Sequence, residues 1–146
     1  MSVAISRAIE ALRAGGADFR PVPPAHLRSL EVAIDASLPR DYLVIVEKVG
    51  SIAIPGAAGY ALLDPAGICA YVDSIWNMEG QAPALWSALP IIVTADGDDI
   101  GFLRTGAQFG PELVKLNHET PWPTHGVLWY KPLAASLAAF LAESRQ

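Results

Sequence analysis

Apolar residues recur at helical spacing through the first third of the chain. Ile5, Ile9 and Leu12 share one side of a segment over 2–14, which Gly15-Gly16 stops. Pro21, Pro23 and Pro24 hold the following piece extended, because a residue before proline is pushed out of the helical region. Pro24 then opens a second helix as its first residue, with Leu27, Leu30 and Ile34 on one face and Arg28 and Glu31 on the other. Leu38-Pro39 starts a third helix, striped by Tyr42, Ile45, Val46 and Val49 and ended by Gly50, which accepts a left-handed stop.

The pattern then changes period. Short apolar runs bounded by turn residues predict strands over 51–54, 60–63, 91–94, 100–104, 113–116 and 127–130, with a short helix over 68–78. Asp96-Gly97-Asp98 predicts a tight turn between two strands, since glycine accepts positive φ and aspartate bonds nearby backbone. Pro132 predicts the start of a last helix lined by Leu133, Leu137, Phe140 and Leu141. Helices first, strands in the middle and a closing helix give the α+β class. The last helix is apolar on most faces, so either the sheet and first helices cover it or it pairs with a second copy as a homodimer.

A chain of 146 residues is the size of one domain, 1–146, around one core. With 52 % apolar and only 17 % charged residues it excludes a disordered, solvating polypeptide. Its longest uncharged stretches are broken by Pro55, Pro83 and Pro90, which speaks against a membrane span. Arg7, Glu10 and Arg13 interrupt the place where an export signal needs an unbroken apolar segment, so the expected location is cytoplasmic. The single Cys69 excludes an internal disulfide and a paired-cysteine metal site.

Charge is unevenly placed. Residues 1–50 hold six groups of each sign, whereas no Lys or Arg occurs between Lys48 and Arg104, a segment holding Asp64, Asp73, Glu79, Asp96, Asp98 and Asp99. Such a field argues against nucleic acid, whose phosphates need cations to displace their counterions. It fits a basic partner, or solubility alone.

Candidate chemistry is sparse. Asp96, Asp98 and Asp99, with His118 and Glu119 further on, supply carboxylates that a divalent ion could use, but the alternating spacing and closing glutamate of a calcium loop are missing. The plainer reading is a hairpin whose aspartates bond turn N–H groups. His118-Glu119 lacks the second histidine one helical turn on that a zinc helix requires, and neither His125 nor His26 supplies it. Cys69 sits among apolar neighbours, where a thiol is an inert small hydrophobe. No serine elbow and no phosphate-cradling glycine loop occurs. The sequence therefore assigns no catalytic residue, metal or cofactor. Of the four tryptophans, Trp86 and Trp129 are expected in the core, while Trp122, between Pro121 and Pro123, is either a surface anchor or loop packing.

The order of three motifs resembles the SUKH superfamily, which unites fungal cell-wall assembly regulators with many bacterial immunity proteins. LPRDYLVIVEKVG over 38–50 is similar to its helix signature, LPIIVTADGDDIGFL over 89–103 to its central hairpin, and GPELVKLNHE over 110–119 to the strand that follows. PVPPAHLRSLEVAI over 21–34 and PLAASLAAFLAESRQ over 132–146 resemble its flanking helices, so the likeness spans about 20–143. Val49 departs from the asparagine the family often carries before its glycine.

The resemblance implies helices around a mostly antiparallel or mixed sheet, no established catalytic site, and a role in binding a cognate toxin, often a nuclease. It makes Leu38, Pro39, Asp41, Tyr42, Gly50 and Gly97 architectural. On this reading Asp96, Asp98, Asp99, His118, Glu119 and Trp122 are expected to contact a basic toxin domain. Two alternatives stay open: a regulatory scaffold akin to the fungal relatives, and a small metal-dependent hydrolase using Asp98, Asp99 and His118.

Overall fold

The structure, a computed structural model, describes residues 2–74, 83–116 and 130–143. Three helices come first: α1 (Val3–Ala14), α2 (Pro24–Ile34) and α3 (Arg40–Val49). Two-residue strands β1 (Ile52–Ala53) and β2 (Ala61–Leu62) precede α4 (Pro65–Ser74) and a single 3-10 turn (Pro83–Leu85). Strands β3 (Ala88–Val93), β4 (Ile100–Thr105), β5 (Gln108–Phe109), β6 (Leu113–Leu116) and β7 (Tyr130–Ala134) lead to α5 (Leu137–Ala142). Among the described residues this is an α+β fold with an antiparallel sheet in the order β1-β2-β3-β4-β6-β7, β5 pairing with β4 beside that path. No described helix is long and apolar enough to cross a membrane.

The three predicted helical stripes are the buried ones: Ile5, Ile9 and Leu12, then Leu27, Leu30 and Ile34, then Tyr42, Ile45, Val46 and Val49. Ser2 caps α1 by accepting from the Ile5 N–H at 3.1 Å. The proline-rich piece between α1 and α2 has a structural task. The N–H groups of Arg20 and Val22, on either side of Pro21, donate to the last-turn carbonyls of Val49 and Glu47, both at 2.9 Å. Carbonyls that α3 leaves unpaired at its end are thereby satisfied. Gly50 is demanded twice at this junction. Its φ is +69°, and a Cβ there would lie 2.0 Å from the Arg20 carbonyl oxygen.

The core runs through all the helices and the inner sheet positions, with Tyr42 of α3 meeting Phe102 of β4 edge to face at 6.1 Å. The neighbours Phe102 and Leu103 go to different clusters, as strand alternation requires; Leu103 packs with Ala88, Val114 and Leu116. Trp86 is buried as expected, and Trp129 lies outside the described residues.

The predicted last helix needs correction. Pro132 does not open a helix: it sits in β7 opposite Val114, and the helix starts only at Leu137, after Ser136 accepts from the Ala139 N–H at 3.0 Å. Proline is tolerated there because β7 is the last strand of the sheet order. Leu133, expected on the buried stripe, is 43 % exposed. The remaining apolar face of α5, Leu137, Ala138, Phe140 and Leu141, is buried within the chain against α1 and α3. Elsewhere boundaries shift. α4 begins at Pro65 rather than 68, because Asp64 caps it by accepting from the Gly67 N–H at 2.8 Å and Pro65 fits the first helical position. The predicted helical residues 75–78 and strand residues 127–129 lie outside the described residues.

Candidate partner-binding turn

The β3–β4 turn is built by its own aspartates. Gly97 takes φ +85° at the tip. Asp96 Oδ1 accepts from the Thr94 hydroxyl at 2.6 Å and from the Asp98 N–H at 3.0 Å, while Asp96 Oδ2 accepts from Lys115 Nζ of β6 at 3.2 Å. These donors hold the exposed Asp96 carboxyl down at about 2, the Thr94 hydroxyl contributing most, then the Asp98 N–H, then Lys115. The same bond raises the Lys115 ammonium above its usual value. At any pH near neutrality the pair is therefore fully charged.

Asp99 faces the other way. It is completely buried, with Oδ2 accepting from the Tyr71 hydroxyl of α4 at 2.7 Å and Oδ1 accepting from the Thr94 N–H at 3.1 Å. Its backbone carbonyl accepts from the Leu116 N–H at 2.7 Å, linking the turn to the end of β6. Asp99 thus cannot be the surface contact the sequence reading made it. A buried carboxylate needs donors around it, and this one fastens α4 to the sheet. Asp98 is half-buried beside the exposed Asp96. His118, Glu119 and Trp122 lie outside the described residues.

The carboxylates of the turn do not converge on a common point, since Asp96 reaches out to Lys115 and Asp99 reaches in to Tyr71. Among the described residues no group of three or more His, Cys, Asp or Glu is placed to hold a metal ion. Cys69 also departs from expectation. On α4 its neighbours Ile68 and Val72 turn inward, and Cys69 itself is exposed. Partial desolvation of its sulfur raises the thiol, so little thiolate forms at neutral pH.

The residues that the SUKH resemblance makes architectural are engaged inside the fold. The Leu38 N–H donates to Glu31 Oε2 at 2.8 Å, and Pro39 stands immediately before α3. The Tyr42 hydroxyl donates to the Leu63 carbonyl at 2.9 Å, and burial pushes that phenol well above its usual value, with the nearby Asp64 adding to the shift. Asp41 uses both oxygens: Oδ1 accepts from the Tyr42 N–H at 2.8 Å and Oδ2 from the Ala138 N–H at 2.9 Å. Two further contacts went unread in the sequence. One is the Tyr71–Asp99 bond. The other is Arg104, whose Nε donates to the Trp86 carbonyl at 2.6 Å and whose Nη2 donates to the Ile34 carbonyl at 2.8 Å, with the guanidinium 4.8 Å from the Phe109 ring centroid. A lone arginine closing a long uncharged and acidic run was the available signal. Set against protein-family models, curated proteins and solved structures, the chain matches none.

Proposed function

We propose that this chain is a cytoplasmic, non-catalytic protein-binding module, a bacterial immunity protein of the SUKH kind that binds and neutralises a cognate basic toxin domain. The observation that carries the reading is the β3–β4 turn, which presents Asp96 at the surface in a stretch without any Lys or Arg from 49 to 103. Because Asp96 is held ionised to about pH 2, its charge is fixed under any condition in which a partner would meet it. Fixed surface charge raises the rate of encounter with an oppositely charged surface, and salt screens that gain. The order of the three SUKH-like motifs and the α+β class agree with the reading. Asp96 and Asp98 are the proposed contacts among the described residues. Lys115 would have to be shared with, or displaced by, a cation of the partner.

The test is capture of the tagged chain with its partner at low salt from lysate of its own source. The expected result is one stoichiometric basic polypeptide that is toxic when expressed alone and harmless when co-expressed with this chain. Its association rate should fall as salt rises, fall a few-fold in Asp96→Asn, and rise in Lys115→Met. A stoichiometric partner that is harmless alone and belongs to cell-wall assembly would replace this reading with the regulatory scaffold.

A further inference from the structure

We draw no further inference here: the strongest candidate, the groove of about 410 Å³ between the C-terminal ends of α1 and α5 and the turn around Pro55, is a largely apolar face with nothing in the structure to show what covers it.

Discussion

Asp41 ties the start of one helix to the start of another 97 residues away in sequence. The tie matters because α5 has only six residues, far below the length at which a helix is stable by itself. What holds α5 is its buried face and the satisfaction of its first N–H groups. Ser136 takes the Ala139 N–H and Asp41 takes the Ala138 N–H. At the same time Asp41 takes the N–H of Tyr42 in the first turn of α3, a helix whose preceding residue, Pro39, offers no side-chain cap. Only a side chain with two acceptor oxygens serves both.

Replacing Asp41 by alanine leaves two part-buried donors without their acceptor. A hydrogen bond to a charged group contributes about 1.5–3 kcal/mol, and a stranded donor costs a similar amount. The lost negative charge at two helix N-termini adds about 0.3–1 kcal/mol at each. These contributions overlap, so the expected loss for Asp41→Ala is about 2–3 kcal/mol. For a chain of this size that lowers the melting temperature by roughly 5–10 °C. Asp41→Asn should recover little, because its single amide oxygen can face only one of the two N–H groups while its amino group meets the other. Ser136→Ala removes one cap bond and should cost only about 1 kcal/mol. Urea unfolding of the three variants gives the ranking, and hydrogen exchange at Ala138 localises the effect. Asp41→Ala costing less than Ser136→Ala, or leaving exchange at Ala138 unchanged, would refute the reasoning.

Three other outcomes follow from the same structure. By NMR titration Asp96 should ionise near 2 in the folded chain against an ordinary 3.8, so its stabilising contribution is present above 3.8 and lost as pH falls towards 2. Thr94→Val and Lys115→Met should each raise that value, and no change in either variant would contradict the assignment of causes. Tyr42→Phe should cost about 1–2 kcal/mol by leaving the Leu63 carbonyl unpaired, measured by urea unfolding. In the native chain the raised phenol contributes stability that is full below 10.0 and lost as pH rises beyond it, so the tyrosinate absorbance lost in Tyr42→Phe should be the part that appears only as the chain unfolds. Arg104→Lys should cost about 2 kcal/mol, because an ammonium cannot reproduce the fork that reaches Trp86 and Ile34 while lying against Phe109. Unchanged stability in that variant would remove Arg104 as a strut between α2 and the sheet.

What the sequence could and could not yield follows from the range of the forces involved. The stripes of α1, α2 and α3 and their proline and glycine ends were legible because spacing and capping act within a few residues. Pro132 misled for the same reason: a locally good helix start lost to pairing with β6, a strand well upstream. The β3–β4 turn shows the same division. Its glycine tip and N–H-bonding aspartates are local and were read correctly, whereas the direction each carboxylate takes depends on what approaches from elsewhere.

Lys115 draws Asp96 outward from β6, and Tyr71 draws Asp99 inward from α4. A sequence reader sees three equivalent acids within four residues; the fold makes one a surface charge, one half-buried and one an internal fastener. At the proposed interface, electrostatic recognition would therefore rest on fewer charges than composition implies, with a lysine already partnering the most exposed of them. A basic surface that docks here would gain from Asp96 only to the extent that its cation competes with Lys115. For that reason the opposite responses expected of Asp96→Asn and Lys115→Met probe the proposed interface more sharply than the net charge of the chain does.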